Sequence, residues 1–304
     1  MKSAAMVYAA NEKGNLLERL QVIAMRSTWD HNNFHIARGE ALQICAPALQ
    51  VLRKSLVGLF LTASDMGLEE VHPDTIAQFG TGCLVEYRDR FWIATCGHVL
   101  ESSRPPKVFL SAEEPLFALE QVMPSGGLLK SRIDDRGKVD VGFLEVSPDF
   151  FRSRARRFYR IQEQFLRPKN EEALLFSLGY LGKYSGQTSV TKTPSGIWLP
   201  QRHQGLLQSI PTASIPLFEV RDANAGFFKC VLDVRSLKIP ERSLLTHGCS
   251  GGPIFRVVTS CAFEGDSRGL VLAGFQSHQG SDAKGDYLLF QTIFRWRDFV
   301  DQVL

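Results

Sequence analysis

The chain has 304 residues, 44% of them hydrophobic and 22% charged, with a formal net charge of +3. That apolar content supplies a folded core and excludes a disordered chain, while the weak charge gives no reason to expect a nucleic-acid or membrane partner. No apolar run reaches 18 residues, which argues against a membrane-spanning helix.

The first ten residues carry a short apolar patch that meets Asn11-Glu12-Lys13 too early for a secretion signal. Residues 12–27 set Leu17, Leu20, Val22, Ile23 and Met25 among charges, the pattern of an amphipathic helix. A second short helix is expected over residues 41–52, interrupted at Pro47. Residues 1–52 thus read as a partly helical N-terminal extension packed against a main domain of residues 53–304. Six cysteines (Cys45, Cys83, Cys96, Cys230, Cys249 and Cys261) are few for this length. They read as free thiols of a reducing compartment, which places the chain in the cytoplasm.

From Ser55 the pattern becomes that of strands. Leu56–Leu61 is apolar, and Cys83–Tyr87 and Phe91–Thr95 form a hairpin around Arg88-Asp89-Arg90. Val108–Leu110, Phe117–Val122 and Val141–Val146 continue a first series of strands, over about residues 53–150. Ala173–Leu178, Phe218–Val220, Phe227–Leu232, Ile254–Val258 and Leu270–Phe275 make a second, over about residues 170–288. Short strands with glycine-rich turns indicate an all-β pair of sandwiches or barrels. The last segment, about residues 289–304, is amphipathic around Trp296 and Phe299 and is expected to be a closing helix.

Three segments carry reactive groups. Thr246–Pro253 puts Ser250 in a glycine-lined turn, where its hydroxyl can be exposed and backbone N–H groups can converge on an oxyanion. Thr95–Val99 places His98 after an apolar run, and Val139–Leu144 opens another apolar run on Asp140. His, Asp and Ser are the set that nucleophilic acyl transfer requires.

These segments, together with Phe79-Gly80-Thr81-Gly82-Cys83-Leu84-Val85, resemble the motifs of trypsin-like (chymotrypsin-fold) serine peptidases. The likeness is to bacterial stand-alone and HtrA-like members without a PDZ domain, and it covers about residues 53–300. The motifs stand in family order, 42 residues from His98 to Asp140 and 110 from Asp140 to Ser250. The resemblance implies a double six-stranded antiparallel β-barrel with the site in the cleft between the barrels. It also implies a serine endopeptidase that uses no cofactor. His98 would be the base, Asp140 its orienting carboxylate and Ser250 the nucleophile, with the backbone N–H groups of Gly248 and Ser250 as the oxyanion hole.

Cys249 precedes the nucleophile, where secreted digestive members carry an aspartate that pairs with a newly cleaved N-terminus. Activation of that type is therefore not expected, and the thiol should point away from the cleft. Leu244 stands where trypsin has the base of its specificity pocket, so a small or apolar residue is expected before the cut bond. Gln276, Ser277 and His278 would line the substrate groove with His247, and Ser277 resembles the serine that supports the catalytic aspartate.

His31 and His35 lack a neighbouring acidic or cysteine cluster and read as polar surface residues, so no metal is expected. Between Phe151 and Asn170, seven cations (Arg152, Arg154, Arg156, Arg157, Arg160, Arg167 and Lys169) face one acid, Glu163, a net of +6. The segment reads as a solvated basic connection whose aromatics anchor it to the barrels, not as a nucleic-acid surface. The expected partners are a polypeptide substrate and a regulatory protein. The competing expectation is a catalytically inactive peptide-binding or scaffold module on the same fold, and an esterase would share the chemistry.

Overall fold

The computed structural model describes residues 50–62, 76–101, 107–110, 117–134, 139–161, 175–179, 190–192, 198–200, 213–222, 227–231, 249–257, 270–282 and 285–304. The helix expected over residues 12–27 lies outside them, as does that expected over 41–52 except for its end, where residues 50–53 are helical. The fold is all-β and chymotrypsin-like, with two antiparallel sheets and a C-terminal helix.

The first sheet contains β1 (Leu56–Thr62), β2 (Ile76–Tyr87), β3 (Arg90–Thr95), β4 (Lys107–Phe109), β5 (Leu129–Ile133) and β6 (Asp140–Glu145), in the order β4-β1-β2-β3-β6-β5. A two-residue strand, β7 (Tyr159–Arg160), pairs in parallel with β2. The second half holds β8 (Leu175–Gly179), β11 (Ala213–Asp222), β12 (Phe227–Val231), β13 (Pro253–Val257), β14 (Leu270–Asp282) and β15 (Gly285–Thr292). These six close into a barrel in the order β11-β12-β15-β14-β13-β8. Among the described residues, β9 (Val190–Lys192) and β10 (Trp198–Pro200) pair only with each other.

The continuous apolar runs of the first half follow from burial on both faces of its strands. On β3, Trp92 and Ala94 join a cluster shared with the second barrel, while Ile93 faces the first sheet's own core. On β6, Val141 and Phe143 take the shared side and Leu144 the inner one. Side chains alternate across a strand, so a strand covered on both sides has no polar face to show. The shared cluster reaches Phe176, Leu178, Phe255, Leu272 and Phe275 of the second barrel.

The closing helix is shorter than the sequence suggests. It spans Ile293–Val303, and residues 288–292 are the end of β15 instead. Leu288 and Phe290 are fully buried in a strand paired on both sides, by β12 and by β14. Thr292, the last residue of β15, is the N-cap of the helix. The helix drives Trp296 into the shared cluster, and its indole N–H donates to the Gly142 carbonyl at 3.0 Å. Tyr87 and Arg88 both donate to Asp301, tying the helix to the β2–β3 hairpin.

Phe117–Val122 is not a strand. Leu119–Val122 is a single helical turn that buries Leu119 and Val122, three apart on one face. The Ala118 N–H donates to Gln121 Oε1 at 2.8 Å, a local bond that favours the turn over a ladder. A second short helix, Pro148–Arg152, begins with proline at its first position. The basic segment, as far as Ile161, is clamped onto the first sheet. Arg152 lies over the Phe91 ring, Arg154 over Phe117 and Phe150, and Arg156 donates to the Leu110 carbonyl. Tyr159 packs on Phe255 and accepts the Leu272 N–H. Among the described residues, no helix is long and apolar enough to cross a membrane.

Candidate active site

Three elements converge where the halves meet. β3 delivers the chain into the four-residue helix Gly97–Leu100, which carries His98. The helix fits against β5 and β6 only because its first residue lacks a side chain. A Cβ on Gly97 would lie 2.9 Å from the Arg132 carbonyl and 3.0 Å from that of Val141. Asp140 opens β6 and is 2% exposed. Its Oδ1 accepts the His98 backbone N–H at 2.9 Å, and its Oδ2 lies 2.8 Å from His98 Nδ1. With the carboxylate ionised, the proton of that second bond sits on Nδ1. A neutral ring then keeps its lone pair on Nε2.

Burial alone would raise the pKa of Asp140. The hydrogen bond and charge of His98, with the Ser277 hydroxyl and the His98 amide, outweigh it and hold the group at about 2, against an ordinary 3.8. A folded value below the unfolded one means that the ion's contribution is complete above about pH 4 and is lost as pH falls toward 2. That contribution is about 2 kcal/mol. Denaturant unfolding at pH 5 and pH 2 should therefore show the wild-type chain losing about 2 kcal/mol more than Asp140→Asn. Equal losses would mean that the carboxylate is not held in this way.

The turn that carries Ser250 is built from its glycines. The Gly252 N–H donates to the Cys249 carbonyl at 2.7 Å, which closes a four-residue turn with Gly251 third at φ +82°. A left-handed residue at that place is what a type II turn demands. The turn is fastened to both halves. The Ser250 carbonyl accepts the Thr81 N–H of β2 at 2.7 Å, and the Gly251 N–H donates to Gln276 of β14 at 2.7 Å. The Cys96 thiol donates to the same Gln276 carbonyl at 2.8 Å, and the Thr95 hydroxyl donates to the Thr81 carbonyl at 2.8 Å.

The Ser250 side chain, half-buried, donates to the Ser277 carbonyl at 3.4 Å, long for an O–H···O bond. Among the described residues, no hydrogen bond joins Ser250 Oγ to the His98 ring. Ser277 itself is buried, and its hydroxyl donates to Asp140 Oδ2 at 2.5 Å. A run of contacts therefore leads from His98 through Asp140 and Ser277 to Ser250.

Cys249, beside Ser250, is buried, and its side chain faces β8. A Cβ on Gly179 would lie 2.9 Å from the Cys249 Sγ. Burial pushes this thiol up to about 12, so it is un-ionised near neutrality. Cys249→Ala is expected to leave covalent labelling by an alcohol-directed fluorophosphonate intact. Loss of the label with the fold retained would implicate the thiol. Cys83, Cys96 and Cys249 are all buried, and none of them forms a disulfide.

The candidate groove residues divide. Gln276 is 1% exposed, and its side chain accepts the Ser177 hydroxyl inside the second barrel, so it does not line a groove. Its contribution is the backbone carbonyl that Gly251 and Cys96 share. His278 is exposed and its ring centroid lies 5.5 Å from that of His98. Leu244, His247 and Gly248 lie outside the described residues, as do His31 and His35. Cys96, His98 and Asp140 bring potential ligand atoms within 4.8 Å of one another. The Cys96 thiol is a buried hydrogen-bond donor, raised well above its ordinary pKa by burial first and by Asp140 next. His98 Nδ1 and Asp140 are engaged with each other. A cation would have to break both arrangements. The structure brings His98 and Asp140 together, with Ser277 between Asp140 and Ser250; the structural part that Cys96 plays has no signal in the sequence, where it only ends an apolar run.

The chain is thus a chymotrypsin-like all-β protein with an imidazole, a carboxylate and a hydroxyl assembled between its halves. No protein-family model matches it, and no curated protein matches it. Solved structures do match. A scabies mite inactivated protease paralogue is similar at 12% identity, over 83% of this chain and 95% of its own, with a TM-score of 0.48. Human heparin binding protein is similar at 12% identity, over 83% and 92%, with a TM-score of 0.45. A chain from a study of the Sesbania mosaic virus VPg protein is similar at 12% identity, over 81% and 90%, with a TM-score of 0.43. At such scores these likenesses carry no argument about chemistry.

Proposed function

We propose that the chain is a serine endopeptidase, with His98, Asp140 and Ser250 as its catalytic groups. The observation that carries this reading is the pair of bonds from Asp140 to His98, through backbone and ring, next to a serine on a left-handed glycine turn. Attack requires the Ser250 hydroxyl to leave the Ser277 carbonyl and turn to His98 Nε2, and its present 3.4 Å contact resists that rotation little. Catalytic hydrogen bonds often tighten only when substrate is bound.

The Ser250 oxygen then bonds to the carbonyl carbon of the substrate while its proton passes to Nε2. Backbone N–H groups of Gly248 and Ser250 receive the developing oxyanion. As the tetrahedral carbon collapses, the C–N bond breaks and His98 hands its proton to the departing amine. Water, deprotonated by the same imidazole, releases the acyl group. The substrate residue before the cut is small or apolar, set by Leu244, with His247 and His278 along the groove. A regulatory protein partner and a cytoplasmic setting belong to the same proposal.

One observation favours a second reading, a peptide-binding module without turnover: Ser250 Oγ rests on Ser277 and not on His98. A fluorophosphonate probe together with an unfolded polypeptide separates the two. The peptidase reading expects label on Ser250, new peptide termini, and loss of both in Ser250→Ala. Intact polypeptide bound without label would sink it and support the module.

A further inference from the structure

β14 carries an irregularity beside the site. Across β15, Gln276 faces Phe290 and His278 faces Leu289, so Ser277 is an extra residue, a β-bulge. Successive side chains of a regular strand point to opposite faces, and a bulge breaks that alternation. Here it brings two neighbours to the same side. Ser277 Oγ lies 2.5 Å from His278 Nδ1 as well as 2.5 Å from Asp140 Oδ2. His278 Nδ1 is itself 4.0 Å from Asp140 Oδ2, and its ring is tilted 39° to that of His98.

One hydroxyl has one proton to give. An ionised carboxylate can only accept, so the Ser277 proton goes to Asp140. His278 must therefore donate its own Nδ1–H to the Ser277 oxygen. Partial desolvation of the ring, aided by the neighbouring His98, lowers the pKa of His278 against the opposing pull of Asp140, which favours the neutral imidazole.

We propose that His278 is a positioning residue: it locks the Ser277 hydroxyl onto Asp140 and so completes the set of donors that aims the carboxylate at His98. The inference rests on the peptidase reading for its kinetic consequence but not for its geometry. It assigns His278 an orienting duty in addition to any contact with substrate. The bulge is what makes this duty available, because a flat strand would turn the residue after Ser277 away.

Two variants test it. His278→Phe keeps a ring but removes the donor, and His278→Asn keeps an N–H near the place of Nδ1. The first readout is the rate of fluorophosphonate labelling at Ser250. The second is the low-field proton resonance of His98 Nδ1–H, which needs no turnover. His278→Phe is expected to slow labelling about tenfold, the loss of one hydrogen bond to the network. It should also shift the resonance, while His278→Asn recovers most of the rate and the wild-type resonance. An unchanged rate and resonance in His278→Phe, or equal defects in both variants, would overturn the proposal. If the wild-type chain takes no label, the peptidase reading fails, and the resonance alone still decides the role of His278.

Discussion

Asp140→Asn is expected to lower the rate of Ser250 acylation by about four orders of magnitude while leaving the protein folded. The carboxylate accepts three donors: the His98 backbone N–H, His98 Nδ1–H and the Ser277 hydroxyl. An asparagine has one accepting oxygen and two N–H donors. If the oxygen keeps the backbone N–H, the amide nitrogen faces Nδ1 and forces the imidazole to accept there. The ring proton then moves to Nε2, the atom that must be bare to take a proton from Ser250. The variant is close in size and shape, so the loss should fall on the rate constant and not on the fold. Labelling kinetics alongside a denaturant titration make the comparison. A drop of less than about tenfold with the fold intact would mean that Asp140 does not set the tautomer of His98.

Gly251→Ala should fail differently, by dismantling the turn that presents Ser250. Its φ of +82° lies in the left-handed region, where a side chain costs about 1–2 kcal/mol. Its Cβ would also collide with the Thr95 hydroxyl and the Thr81 carbonyl. Neither can yield freely, because they are bonded to each other and the Thr81 N–H holds the Ser250 carbonyl. Overpacking of this kind adds about 1–3 kcal/mol. The expected result is a stability loss of about 2–5 kcal/mol and no labelling of Ser250, even in conditions where the chain remains folded. Gly126→Ala is the matched control. Its φ is +73°, but a Cβ there meets nothing within 4 Å, so it should show the conformational cost alone and label normally. Equal behaviour of the two variants would remove the steric argument.

The residues that were legible in sequence share a cause. Phe91–Thr95 and Val141–Leu144 are apolar because both their faces are covered, and His98 follows the first run while Asp140 immediately precedes the second. The turn at Ser250 announces itself through glycines that left-handed geometry and close packing require. What was hidden depends on partners distant along the chain. Residues 288–292 look helical when read onward into Trp296 and Phe299, and only pairing with β12 and β14 makes them a strand. Phe117–Val122 has strand-like composition, and one side-chain bond from Gln121 tips it into a helical turn. β5, with the sequence Leu-Lys-Ser-Arg-Ile, is too polar to stand out and owes its form to pairing with β6. Gln276 was placed in the groove by its neighbourhood alone, yet its side chain turns inward to Ser177.

The indole of Trp296 reaches the carbonyl two positions beyond Asp140, and it comes from the last described element to be synthesised. Local opening of this one helix would therefore unbrace the strand bearing the carboxylate without any change at the site itself.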